Sequence, residues 1–393
     1  MDKGKQDFAV SYPEDFDEPH EEYARLRKQC PVAHTDDLGG FWAVSRFEDV
    51  KRAASESSTF ITSKQNVVPK VAFTGRRPPL HLDPPEHTPY RKAINPLLSL
   101  ERCELLAGRA REFSRELLEP MVREGGGDIC VEFSSHLPVQ IFGEWMRLPA
   151  DWVPTLHDNG RAFVLAVHMN QPEGMKETSL RLYEMARAMI ALRREKPEDP
   201  AIDPTTALLE ARHNGEPLPE ELLVGTVRQV LLVGIVAPMV MIGSICVHLT
   251  RDRALQDQLR ADPSLLPDAI EEFLRLYTPY RGFARTAVRD VEMSGTVIPE
   301  GEPIALLYCS ANRDESVFPE GDKFIMNRPN IGEHLAFGRG PHNCPGLHLG
   351  RMQLRIAMEE LLAATPAGFD LAGDITMSRW PEIGALSVPL RFL

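Results

Sequence analysis

The sequence predicts a mainly α-helical fold with small β-sheets (α+β), arranged as a single large domain over residues 1–393. Three observations predict it. Helical periodicity runs through residues 101–123, 180–194 and 347–362. Short Val- and Ile-rich strand signals lie near both ends. No linker, internal repeat or low-complexity tract divides the chain, and 393 residues that are 43% hydrophobic suffice to bury one large core.

Taken in order, the first 30 residues are polar and acidic, which predicts neither a signal peptide nor an N-terminal anchor. Phe41-Trp42-Ala43-Val44 carries a strand signal. His87 and Arg91 stand four residues apart, so a helix there presents both on one face. Residues 230–247 form an uncharged apolar run, long enough by hydropathy alone to be a membrane-span candidate. Gly234, Pro238, Gly243 and Ser244 interrupt it, and a helix apolar on all sides is also what a central buried helix looks like. The expectation is therefore no membrane association. Glu272 and Arg275 share a helix face at i, i+3, a spacing that says little alone. A formal charge of −13 argues against a nucleic-acid partner. Six cysteines, Cys30, Cys103, Cys130, Cys246, Cys309 and Cys344, show no paired spacing, which fits a reducing, cytoplasmic location.

One run carries chemistry: Phe337-Gly338-Arg339-Gly340-Pro341-His342-Asn343-Cys344-Pro345-Gly346, leading into the amphipathic stretch 347–362. Glycines before Cys344 let the backbone bend around it, and Gly346 lets main-chain N–H groups approach the sulfur at a helix start, which should lower the thiol pKa. Phe337 is placed to shield the sulfur. The residues alone leave three readings: a metal-bound thiolate, a capping loop with a buried cysteine, and a zinc site of His342, Cys344 and His348 that lacks a Cys-x-x-Cys partner.

The whole ten-residue pattern resembles the cysteine-ligand loop of the cytochrome P-450 superfamily, in its soluble bacterial form, and the similarity extends over residues 10–393. The resemblance implies heme b (iron protoporphyrin IX) enclosed between a long central helix, the I helix, and the cysteine loop with its following L helix. Cys344 is then the metal ligand, as a thiolate. It also implies that Glu272, Arg275 and Arg328, the last within Phe324-Ile325-Met326-Asn327-Arg328-Pro329, form a structural clamp. His87, Arg91, Arg285 and His342 would bind the heme propionates, with Phe337 and Gly346 completing the cofactor set. Ala311-Asn312-Arg313-Asp314 matches a further loop of the family.

The central helix departs from the pattern. Most members carry Ala/Gly-Gly-x-Asp/Glu-Thr there, an acid and an alcohol that relay protons; here the stretch is Gly234-Ile235-Val236-Ala237-Pro238-Met239. Neither Ala237 nor Pro238 can donate a proton, and Pro238 deprives the Gly234 carbonyl of its helical partner. Three responses are open: an O2-dependent monooxygenase whose protons come from water or a substrate hydroxyl, a peroxygenase using H2O2, and a dehydratase or isomerase that cleaves no oxygen. A heme-binding sensor without turnover is a fourth reading.

The resemblance places the substrate pocket along 60–73, 163–167, 234–239, 280–283 and 382–386. Phe73, Phe163, Val167, Gly234, Ala237, Arg281 and Phe283 are the principal candidates. These walls are mostly apolar and predict a small to mid-sized organic substrate for hydroxylation or O-dealkylation. Arg281, if it faces the cavity, predicts an anionic handle. A separate ferredoxin and ferredoxin reductase would supply electrons, with Arg339, Arg351 and Arg355 as a candidate basic docking patch.

Overall fold

The computed structural model describes residues 6–10, 12–71 and 74–393. Helices dominate. Those that shape the site are α1 (Thr88–Ile94), α2 (Ala107–Glu124), α3 (Val153–His168), α4 (Pro172–Glu195), α5 (Glu220–Val233), α6 (Val236–Arg251), α7 (Leu266–Leu276) and α8 (Leu347–Ala364). The periodic stretches 180–194 and 347–362 fall inside α4 and α8. The stretch 101–123 divides into a short helix, Leu100–Glu104, and α2.

The main sheet has five strands: β1 (Val32–Thr35), β2 (Phe41–Val44), β3 (Phe60–Ile61), β4 (Ala284–Ala287) and β5 (Pro303–Leu306), in the order β1-β2-β5-β4-β3. Only the β2–β5 pair is parallel, with Trp42 opposite Ile304, and the crossover between them holds most of the helices. That topology joins an N-terminal hairpin to a C-terminal one and packs them beside the helical body.

The apolar run 230–247 spans the end of α5, a turn at Gly234–Ile235 and most of α6. Among the described residues, Glu220–Arg251 is the one helical stretch long and apolar enough to cross a membrane, and 78% of its most apolar window is buried within the protein. Small residues set how closely it packs: a Cβ on Gly243 would lie 2.5 Å from Cys130 Sγ and 3.1 Å from the Ala385 carbonyl oxygen. The core around it takes Ile242, Ile245 and Val247 from α6 together with Phe273 from α7 and Ile356 and Leu361 from α8. α2 packs along α8, and Arg111 and Arg115 close that seam on Glu360 at 3.2 and 2.7 Å.

Candidate functional site

The cysteine loop gets its shape from two glycines in the left-handed region, Gly338 at φ +69 and Gly340 at φ +71. At Gly340 the packing is equally restrictive, since a Cβ would meet the Ala54 carbonyl oxygen at 2.7 Å. The Cys344 N–H donates to the Phe337 carbonyl at 2.7 Å and closes the loop. Gly346 caps α8. The Phe337 ring carries the Arg351 guanidinium 4.6 Å from its centroid and lies against Gly350 in the first turn of α8.

The expectation of a lowered thiol pKa is corrected. Burial pushes the Cys344 thiol up, and the Gly346 N–H with the nearby charges of Arg91 and Arg351 only partly offsets it. The polypeptide alone therefore keeps the proton, and it takes a bound metal to displace it. The zinc alternative also falls: no three His, Cys, Asp or Glu side chains among the described residues converge to hold a metal ion.

Four cationic or imidazole side chains from three distant segments meet beside the loop. His87, at the start of α1, places Nε2 3.2 Å from the Pro341 carbonyl oxygen, and its ring lies 5.0 Å from that of His342. Arg91, one turn on, donates from Nη1 to the Asn343 carbonyl at 2.9 Å and from Nη2 to Asn343 Oδ1 at 3.0 Å. Arg285, on β4, is 4% exposed and donates to the Ala284 carbonyl at 2.9 Å. His342 reaches Thr62 Oγ1 at 3.3 Å, and burial together with Arg285 and His87 pushes it down to about 3. Neither Arg91 nor Arg285 has a carboxylate within ion-pair distance among the described residues. Guanidiniums met only by neutral groups, Asn343 for Arg91 and the Ala284 carbonyl with the Tyr308 side chain for Arg285, leave their charge for an anion, so this donor set fits the two carboxylates of heme b. That His87 and Arg91 also grip the loop itself was not legible from their spacing.

Behind the loop, Glu272 takes Arg275 in a two-point pair, Nη2 to Oε1 at 2.7 Å and Nε to Oε2 at 2.8 Å, while Arg328 Nε reaches Oε1 at 3.2 Å. All three are buried. The remaining donors go to main-chain carbonyls, Arg275 to Asn312, Gly321 and Lys323, and Arg328 to Pro319 and Lys323. Such a triad is tolerable only because its hydrogen bonds are met.

The central helix is split. α5 ends at Val233, Gly234 and Ile235 form a turn, and α6 begins at Val236. Pro238 has no N–H to return to the Gly234 carbonyl, and the next bond, Met239 N–H to Ile235, is stretched to 3.3 Å. Gly234 is required at the break, because a Cβ would lie 2.1 Å from the Phe142 ring. Ala237 and Pro238 leave the junction without a titratable side chain.

Of the other pocket candidates, Phe163 and Val167 are buried on α3, and Phe283 packs its ring 4.5 Å from that of Tyr280. Phe73 lies outside the described residues. Arg281 is a correction. Its guanidinium is fully buried against Trp380, donating to Tyr23 Oη at 3.1 Å and to the Glu382 and Ser378 carbonyls at 2.9 and 3.4 Å, so it faces neither a cavity nor solvent nor a propionate. The basic patch is corrected too. Arg351 is held by Glu271 at 2.5 Å, Arg355 by Glu104 and Glu359 at 2.8 and 3.3 Å, and Arg339 lies 3.8 Å from Glu333. Their charge is neutralised locally.

A buried pair escaped the sequence altogether: His168 Nε2, at the end of α3, lies 2.7 Å from Glu382 Oε2. No local signal marks it.

Residues 241–364 match the family model for Cytochrome P-450. The chain is 32% identical to cytochrome P-450 107B1 of Saccharopolyspora erythraea, over 92% of this chain and 90% of the relative. It is 31% identical to the mycinamicin IV hydroxylase/epoxidase of Micromonospora griseorubida, over 94% and 93%. Its structure is similar to that of CYP109Q5 from Chondromyces apiculatus, with a TM-score of 0.84 at 25% identity, covering 95% of each chain. With likeness of this extent to monooxygenases that hold heme b through a cysteine thiolate, here Cys344, the chain belongs to the cytochrome P-450 family.

Proposed function

We propose that the protein uses O2 to hydroxylate, O-dealkylate or similarly oxidise a small to mid-sized, mostly apolar organic molecule, and that water or a substrate hydroxyl replaces the usual acid–alcohol pair. Heme, when bound, supplies the oxygen-cleaving chemistry. The chain's own residues hold and orient it: Cys344 at the metal, His87, Arg91, Arg285 and His342 at the carboxylates, and the Glu272–Arg275–Arg328 clamp behind the loop. One observation carries the reading of the proton path. The break at Gly234–Ile235, with Ala237 and Pro238 following, removes both a helical hydrogen bond and every side-chain donor at the junction. A main-chain carbonyl freed in this way is a natural acceptor for water.

Electrons come, on this reading, from a separate ferredoxin and its reductase in the cytoplasm. The docking face is the groove of about 300 Å3 over the ligand loop, lined by His334, Phe337, Arg339, Asn343, Leu347 and Arg351. Its arginines are already paired, so shape and desolvation matter there more than net charge. A second reading, in which hydrogen peroxide supplies both oxygen and protons, shares the same donor-free junction, and Pro238 does not decide between the two. The test is a carbon monoxide difference spectrum of wild type and Cys344→Ala, then turnover with ferredoxin and NAD(P)H or with peroxide alone. A band near ~450 nm lost in the variant establishes the ligand. Turnover with peroxide but not with the electron-transfer chain would overturn the O2 reading.

A further inference from the structure

A second group of cations lies where α4, α5 and residues 74–81 meet. Arg228, on α5, is fully buried. Its Nη2 donates to Ser179 Oγ at 3.0 Å, and its plane lies over the rings of Phe163 and Tyr183 at 4.9 and 5.9 Å. Its Nε and Nη1 are buried with no hydrogen-bond partner among the described residues. Arg77 is 8% exposed, and among the described residues its Nη2 meets only His81 Nε2, at 3.0 Å. Thr74 Oγ1 and Ser179 Oγ share a 2.7 Å bond beside them.

The juxtaposition is built in. A Cβ on Gly225 would lie 1.9 Å from the Arg76 carbonyl oxygen, so the glycine lets the 76–77 backbone settle on α5 one turn before Arg228. Among the described residues no aspartate or glutamate pairs with Arg77 or Arg228. Burial with the nearby Arg77 charge pushes Arg228 well down, burial pushes Arg77 to about 10 with Tyr183 partly offsetting it, and burial with both arginines pushes His81 to about 3. The Phe163 and Tyr183 rings and Ser179 Oγ favour the Arg228 charge only in part, and no anion among the described residues completes its neutralisation. Elsewhere in the interior the buried arginines Arg193 and Arg275 have a carboxylate each, and Arg281, which has none, has Tyr23 Oη and two main-chain carbonyls instead. Among the described residues Arg228 Nε and Nη1 have neither.

We propose that Arg228, with Arg77 and Ser179, anchors a carboxylate on the substrate, so that the substrate is a mid-sized organic acid whose apolar body lies along Phe163. The assignment rests on the monooxygenase reading above. Arg228 and Ala237 stand nine positions apart across the Gly234–Ile235 break, roughly 13 Å at helical rise, so an acid that spans the site is longer than a single aromatic ring with its carboxyl group.

The test uses heme-loaded protein whose carbon monoxide band has been recorded first, so that failure of the heme-thiolate reading is seen on its own. Phenylacetic, phenylbutanoic and dodecanoic acids and their primary amides are titrated at neutral pH by calorimetry and by the Soret shift. A charge-assisted contact of this kind predicts that at least one of the longer acids binds about 30-fold tighter than its amide. Arg228→Gln and Arg77→Gln should each cut that preference to under about threefold, weakening the acids far more than the amides. Arg228→Gln removes a buried charge and should raise the thermal midpoint; if it does not fold, Arg77→Gln and Ser179→Ala carry the comparison. Equal binding of acids and amides, or a preference that survives both arginine changes, overturns the proposal. So does an arginine-dependent thermal shift with inorganic phosphate or chloride when no acid moves the Soret band, which would make this a site for a free anion.

Discussion

The two sides of the heme site are finished to different degrees. Below the cysteine loop the guanidiniums of the clamp meet Glu272 and a set of main-chain carbonyls, and Arg91 and His87 grip the loop directly. Around α5 and α6 the helix is interrupted, the expected proton donors are missing, and Arg228 keeps two buried N–H groups unanswered. Unmet donors cost stability, and a fold keeps them where a ligand is to meet them. On the roles proposed above, the contrast separates scaffold from specificity: the satisfied clamp would support the cofactor loop, and the unanswered donors of Arg228 would meet the substrate.

The largest expected effect breaks the satisfied half. Glu272→Ala strands two buried guanidiniums and should cost about 3–5 kcal/mol, read as a lowered urea midpoint and loss of heme on purification. Retention of wild-type stability would mean the clamp is decoration. Arg91→Ala removes two charge-assisted bonds to Asn343 and should cost about 2 kcal/mol, with faster heme transfer to an apo-globin acceptor. Acid should act on both halves through histidines that enter the interior neutral. Burial pushes His81 to about 3 and His248 to about 4 from an ordinary value of 6.5. With folded values depressed, the unfolded chain binds protons first, so stability is full above pH 6.5 and falls as pH drops through that value toward 3. The slope is up to about 1.4 kcal/mol per pH unit for each group, and His81→Gln should flatten it in urea titrations. The smallest effect sharpens the other half. If water already carries the protons, Ala237→Asp with Pro238→Thr should change the ratio of product to NAD(P)H consumed by less than about tenfold, below the usual worth of a general acid. A larger gain would show that the native junction lacks a working proton path.

The helices were legible because their periodicity is local, and the loop because its residues are contiguous. Arg285 and His342 were found through family likeness, yet their meeting with His87 could not be seen from spacing. Arg281 was misread because its partners Tyr23, Ser378 and Glu382 lie 258, 97 and 101 residues away, beyond any local pattern. The Arg77–Arg228 pair went unnoticed for a related reason. An arginine in a sequence looks solvated until the fold shows that no carboxylate comes with it.

The clamp has a consequence for divergence. Apart from Glu272, its partners are main-chain groups, the carbonyl oxygens of Asn312, Pro319, Glu320, Gly321 and Lys323 and the Ile325 N–H, and almost every residue type carries both. Mutations can rewrite most side chains of that segment without touching the bonds that hold it. An architecture fastened to backbone in this way can drift to 25% identity and keep its shape at a TM-score of 0.84.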